Sequence, residues 1–134
     1  MIIEITKNNV NELKNSFISE KMVIDELNNN PFARFLILKE NDEIIGYIYY
    51  SEIYDRVEIN QFEINSIHRN CGKGQYLLRQ LIDNVKKDMT LEVREDNFPA
   101  IRLYEKNGFI KRAIRKGYYN SQDGILMERK NKKS

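Results

Sequence analysis

The feature that most constrains this chain is a change of hydrophobic period between Ile64 and Gly74. Before it, three β-type runs follow one another: Phe32 to Lys39, Ile44 to Ser51 and Val57 to Ile64. They are rich in β-branched and aromatic residues, and Asn41-Asp42-Glu43 and Tyr54-Asp55-Arg56 separate them as turns. Runs spaced this way predict an antiparallel meander. After the change, Leu77, Leu78, Leu81, Ile82 and Val85 share one face of a helix over residues 74 to 87.

The flanks extend the pattern. Ile3-Glu4-Ile5 alternates and reads as a first strand. Between residues 8 and 29, Val10, Leu13, Phe17, Ile18, Met22, Val23, Glu26 and Leu27 are spaced for one or two short helices. Asn28-Asn29-Asn30-Pro31 ends them, because a residue before proline avoids the helical region. Thr90 to Val93 reads as a short strand. Asp96 or Asn97 is placed to cap a further helix, with Pro99 in its first turn and Ala100, Leu103 and Tyr104 on its inner face. Gly108 stands where a left-handed residue closes a helix. Phe109 to Arg115 and Ile125 to Arg129 are the last strands, joined by a polar loop around Tyr118-Tyr119. The order β, αα, βββ, α, β, α, ββ is an α/β (α+β) pattern. It predicts one mixed, mostly antiparallel sheet of about seven strands with about four helices packed on it.

A length of 134 residues suits one domain spanning 1–134, and such a domain buries roughly two thirds of its unfolded surface. Apolar residues make up 41% of the chain, in short runs far below the ~20 residues of a membrane span. The opening Met1-Ile2-Ile3-Glu4 lacks the basic stretch and apolar core of a signal peptide. Cys71 is the single cysteine, which excludes an internal disulfide and a multi-cysteine metal site, and no metal is expected. The net charge of +2, from 22 basic and 20 acidic residues, is too even for non-specific nucleic-acid binding. Arg129-Lys130-Asn131-Lys132-Lys133 reads as a frayed, solvated tail over 129–134. These features predict a soluble, cytoplasmic protein without membrane or nucleic-acid partners.

The most informative segment is Ile64-Asn65-Ser66-Ile67-His68-Arg69-Asn70-Cys71-Gly72-Lys73-Gly74, between a strand and an amphipathic helix. Such a loop aims several main-chain N–H groups at one spot, and the helix terminus adds partial positive charge. That combination suits a phosphate or pyrophosphate. Gly72 and Gly74 allow positive φ or close approach of a ligand. By themselves two glycines before a helix also make an ordinary turn. The spacing is neither the nucleotide P-loop nor the three-glycine dinucleotide fingerprint.

Arg69-x-x-Gly72-x-Gly74, in this strand-to-helix setting, resembles the acetyl-coenzyme A motif of the GNAT N-acetyltransferase superfamily, and the order of elements is similar over nearly the whole chain. The resemblance implies that main-chain amides of Asn70, Cys71, Gly72, Lys73, Gly74 and Gln75, with Arg69 beside them, hold the coenzyme A pyrophosphate. It implies that Phe62, Glu63 and Ile64 align the pantetheine arm, from a strand that splays away from its neighbour. Leu91-Glu92-Val93-Arg94, Asn97, Ala100, Leu103-Tyr104 and Gly108-Phe109 are similar to the RimI-type branch, whose members acetylate the N-terminal amine of a ribosomal protein. Arg115-Lys116-Gly117-Tyr118-Tyr119 resembles the Arg-x-x-Tyr-Tyr loop of that branch. The chain departs from the branch at Asp123-Gly124, where Asp-Ala is usual, at Asn70-Cys71, and at Glu63, which sets a second carboxylate near the acetyl group.

Amide formation from a thioester requires a neutral amine. A protein α-amine, with a pKa of about 8, is closer to that state than a lysine at about 10.4. The resemblance assigns Glu92 as general base and Tyr104 as the acid that protonates the departing sulfur. Read from spacing alone, Glu92 is an exposed strand glutamate and Tyr104 a core residue; the resemblance reverses both. Asn97 reads as a helix cap and, by resemblance, as a contact for pantetheine. Tyr118 and Tyr119 read as cover for the acceptor or as hairpin aromatics. The implied function is acetyl-CoA-dependent acetylation of a protein N-terminus. Small-amine or lysine acetylation and a non-catalytic acyl-CoA-binding module are the alternatives.

Overall fold

The computed structural model describes residues 1–132. Its elements are β1 (Ile2–Ile5), a 3-10 turn (Val10–Leu13), α1 (Glu20–Asn29), β2 (Ala33–Glu40), β3 (Glu43–Ile53) and β4 (Arg56–Ile64). A second 3-10 turn (Ser66–His68), α2 (Lys73–Asn84), β5 (Asp88–Arg94), α3 (Phe98–Lys106), β6 (Ile110–Tyr119) and β7 (Gln122–Arg129) follow. The strands form one seven-stranded sheet in the order β1-β2-β3-β4-β5-β7-β6. Every neighbouring pair is antiparallel except β4 and β5, which run parallel. No helix among the described residues is long and apolar enough to cross a membrane.

Helices pack on both faces of the sheet. On one, Leu77, Leu78, Leu81 and Ile82 of α2 and Ile101 and Tyr104 of α3 pack on Ile48, Val57, Ile59, Met89 and Leu91. On the other, Leu13, Ile18 and Val23 pack on Ile5, Phe35, Ile37, Tyr47 and Tyr49. This explains why Ile44 to Ser51 is apolar without alternation: β3 is buried on both sides along that run. Ser19 starts α1 by accepting a hydrogen bond from the Met22 N–H at 3.1 Å. Asn30, before Pro31, ends it in extended conformation.

Three boundaries differ from the sequence reading. Residues 8 to 18 form only a 3-10 turn, and Asn15 at φ 64° breaks any longer helix. Tyr118 and Tyr119 belong to β6 and not to a loop, and the strands meet in a tight turn after Tyr119. Nearly all of β6 is exposed on both faces, so no alternation marked its length. The tail is tied down as far as Asn131. Arg129 ends β7 and donates to the Asn107 carbonyl at 2.9 Å, and the Asn131 N–H donates to Asp88 at 2.7 Å. Residues 133 and 134 lie outside the described residues.

Candidate active site

The site begins with an irregularity in β4. Tyr49 pairs with Gln61 and Tyr50 with Ile59, so Asn60 is an extra residue with no partner on β3. A bulge of this kind bends a strand and flips its alternation. Val57 and Ile59 face α2 before it, and Phe62 and Ile64 pack on that same core after it. The Asn60 amide is held by the buried Ser51 hydroxyl at 2.8 Å. On its other side β4 pairs with β5 only from Arg56–Asp88 to Ile59–Leu91. Beyond that point the two strands part.

A cleft of about 630 Å³ fills the opening on the α2–α3 side. Phe62, Glu63 and Ile64 form one wall, and Asn97, Pro99, Ala100, Leu103 and Tyr104 form the other. Its far end is closed by Arg69, Asn70, Gly72, Lys73, Gly74 and Gln75. There Asn70 and Gly72 take φ values of 64° and 75°, and the first helical hydrogen bond is from the Tyr76 N–H to the Gly72 carbonyl at 3.0 Å. Among the described residues, the main-chain N–H groups from Asn70 to Gln75 therefore meet no protein acceptor. The two glycines serve different ends. Gly72 has the positive φ and open space around it, whereas a Cβ on Gly74 would project among Leu103, Phe62 and Ile64 at 3.5–3.7 Å. The donor set, the helix terminus and the volume all fit the diphosphate and arm of coenzyme A.

The charged side chains around this end are engaged. Lys73 Nζ lies 2.8 Å and 3.0 Å from the Glu40 oxygens and holds that carboxyl below its usual range. His68 meets Glu43 at 2.9 Å. Arg69 Nε donates to the Ile64 carbonyl at 3.0 Å. Cys71 is exposed and its side chain is not part of the cleft lining.

A passage of about 250 Å³ runs through the splay. Phe62, Asn97, Ala100 and Tyr104 line both it and the cleft. Glu92 and Tyr119 line it from the opposite face. Leu91 and Val93 are buried towards the helices, so Glu92, between them, points the other way. The sheet thus separates Glu92 from Tyr104, and the gap between β4 and β5 joins them again. Glu92 also borders a hollow of about 300 Å³ with Glu58, Thr90, Arg115 and Tyr118.

Glu92 Oε1 accepts a hydrogen bond from Arg115 at 3.0 Å, and its buried Oε2 has no partner. Buried polar atoms are nearly always paired, so the exception marks a site for a donor. Tyr104 is 8% exposed, packed between Phe62 and Phe109. Burial, aided by Tyr119, pushes its hydroxyl up to about 12, and no described residue hydrogen-bonds that hydroxyl. Asn97 caps α3, accepting from the Ala100 N–H at 3.3 Å, while Asp96 pairs with Arg94. Tyr118 packs under Arg115 and Tyr119 under Arg94. Glu63 lies on the α1 face near the Tyr47 hydroxyl at 3.4 Å and does not line the passage. It helps burial push Tyr47 up to about 12. Sequence reasoning missed Asn60, the role of Arg115 and the buried amide of Asn107.

Comparisons with known proteins identify the family and agree with the fold. The ribosomal protein bS18-alanine N-acetyltransferase of Haemophilus influenzae is 39% identical over 104 residues, covering 73% of this chain and 70% of that protein. The crystal structure of the ribosomal-protein-S18-alanine N-acetyltransferase from Escherichia coli superposes with a TM-score of 0.83 at 23% identity, over 100% of this chain and 95% of that one. A GNAT family acetyltransferase from Elizabethkingia anophelis, solved with acetyl-CoA bound, gives a TM-score of 0.75 at 20% identity over 97% of each chain. The model of the acetyltransferase (GNAT) family matches residues 6–109. The chain belongs to that family and is an acetyl-CoA-dependent N-acetyltransferase.

Proposed function

We propose that this enzyme acetylates a protein N-terminal α-amine, in the manner of the bS18-alanine N-acetyltransferases it resembles. The observation that carries the reading is the passage through the β4–β5 splay, bordered by Glu92 on one face and Tyr104 on the other. Acetyl-CoA supplies an acetyl group already activated as a thioester. The protein orients it: the N–H groups of Asn70 to Gln75 bind the diphosphate, and Phe62, Glu63, Ile64 and Asn97 border the arm. On the opposite face the unpaired Oε2 of Glu92 takes a proton from the incoming ammonium, while Arg115 fixes the other oxygen. Tyr104 gives its proton to the sulfur as the thiol leaves; a phenol is protonated at neutral pH, and burial pushes this one further up. Tyr118 and Tyr119 flank the acceptor as it approaches Glu92.

The test is thiol release from acetyl-CoA with a panel of peptides bearing free N-termini, lysine peptides with blocked N-termini, and polyamines. Release with free N-termini in preference to the other two is expected. Release with polyamines or lysine peptides alone would remove the N-terminal reading and leave the acetyltransferase itself standing.

A further inference from the structure

Asn107 is one of two buried polar residues among those described, at 4% exposure. A buried amide is costly unless every donor and acceptor is met, and here each one is. Its Nδ2 donates to the Gln75 side-chain oxygen at 2.7 Å and to the Leu103 carbonyl at 2.8 Å. Its Oδ1 accepts from Gln75 Nε2 at 3.1 Å. Its own N–H donates to the Tyr104 carbonyl at 3.0 Å, and its carbonyl accepts from Arg129 at 2.9 Å. The two amides thus face each other reciprocally, one from the first turn of α2 and one from the end of α3.

These two helices carry the two ends of the cleft. α2 begins at the main-chain donors, and α3 carries Tyr104. Among the described residues, the Gln75–Asn107 pair is the only polar link between them. Apolar packing, such as that of Leu103 near Gly74, tolerates sliding of one helix on the other. A reciprocal amide pair has one geometry and resists it.

We propose that Asn107 is a positioning residue for the acetyl donor: through Gln75 it fixes the distance between the main-chain cradle and the Tyr104 hydroxyl. The inference rests on the reading of Asn70 to Gln75 as the diphosphate site. A donor anchored at one end and reacting at the other needs that span set, since a misplacement of ~1 Å can lower rate by up to about 100-fold.

The experiment compares acetyl-CoA with S-acetyl-pantetheine, which lacks the diphosphate and so does not use the cradle. For each enzyme the ratio of kcat/KM values for the two donors is measured. Wild type should favour acetyl-CoA strongly. Asn107→Leu, which keeps the branched outline and removes the polar atoms, should lower that ratio about tenfold. Gln75→Met should do the same and carries the test if Asn107→Leu does not fold. The double variant should lose no more than either single one, because all three lack the same pair. A role confined to stability lowers both donors in proportion, so an unchanged ratio in the variants overturns the proposal. A wild-type ratio near one overturns the cradle reading, and this inference with it.

Discussion

The two ends of the cleft are made of different material. The end proposed to receive the diphosphate is built from main-chain N–H groups of one continuous stretch, Asn70 to Gln75, and its charged side chains are turned to other partners. The proposed reacting end is built from side chains, with Glu92 from β5, Tyr104 from α3 and Arg115 from β6. A main-chain site depends on backbone shape and tolerates changes of side chain that preserve it. A side-chain site depends on single atoms that a one-atom change removes. Substitutions at the reacting end should therefore lower turnover with little effect on donor affinity, and those at the cradle should do the reverse.

The largest effect is expected at Tyr104. Tyr104→Phe keeps the ring between Phe62 and Phe109 and removes only the hydroxyl. It should lower kcat by about 10²–10³-fold, with KM for acetyl-CoA within about twofold. Equal changes in both constants would mark Tyr104 as packing and break the contrast. The pH dependence follows from the same burial. A free phenol ionises near 10, and burial pushes Tyr104 and Tyr47 up to about 12. Folding thus favours the protonated form, so the stabilisation is whole below pH ~10 and is lost as pH rises towards 12. Thermal unfolding followed by circular dichroism should show Tm falling across that window, and less steeply in Tyr104→Phe.

Next in size is Glu92. Glu92→Gln should lower kcat/KM by roughly 10- to 100-fold and move the pH optimum upward, because the amine must then lose its proton unaided. Glu63→Gln should leave the position of the optimum unchanged, since Glu63 lies outside the passage. A shift with Glu63→Gln and none with Glu92→Gln would transfer the base role to the other carboxylate.

The shape of the turn before α2 was legible in part: a positive φ favours glycine, and Gly72 announces one, whereas Asn70 takes a φ of 64° unannounced. The reacting end was not legible from spacing. Glu92 reads as a strand glutamate and Tyr104 as core, and Tyr104 is indeed buried; only the family resemblance singled them out. α2 and α3 were visible because each buries one regular face, and the meander because its runs are rich in β-formers and separated by turns. β6 was cut short because it buries almost nothing. The bulge did leave a trace: the apolar positions Val57 and Ile59 are odd-numbered, Phe62 and Ile64 even-numbered, and one inserted residue explains the change. The Gln75–Asn107 pair left none, since two amides 32 positions apart meet only once the helices are docked.

The cradle's glycines sharpen the comparison at smaller amplitude. Gly72→Ala forces a left-handed conformation on a side chain, at a cost of about 1 kcal/mol, though nothing lies within 4 Å of the added Cβ. It should lower Tm by a few degrees and raise KM for acetyl-CoA by roughly fivefold with kcat kept. Gly74→Ala adds a Cβ at ordinary contact distances of 3.5–3.7 Å. Its Tm should stay unchanged and its KM rise by about twofold, read from donor titrations. If Gly74→Ala loses more Tm than Gly72→Ala, the assignment of shape to one glycine and space to the other is wrong.

The smallest effect is expected at Cys71, and it is the strictest test of a main-chain site. Cys71 is the only thiol in the chain and stands inside the cradle segment, where a covalent acetyl-cysteine route would be tempting to draw. Its Sγ is exposed, 3.5 Å from the Arg69 carbonyl, and outside the cleft lining. In the proposed cradle only the Cys71 N–H is used, and serine supplies the same N–H. Cys71→Ser should therefore keep kcat and KM for acetyl-CoA within about twofold of wild type, measured by a coupled assay that does not consume protein thiols. A loss of kcat comparable to that of Tyr104→Phe would mean that the acetyl group passes through the sulfur, and direct transfer to the amine would have to be abandoned.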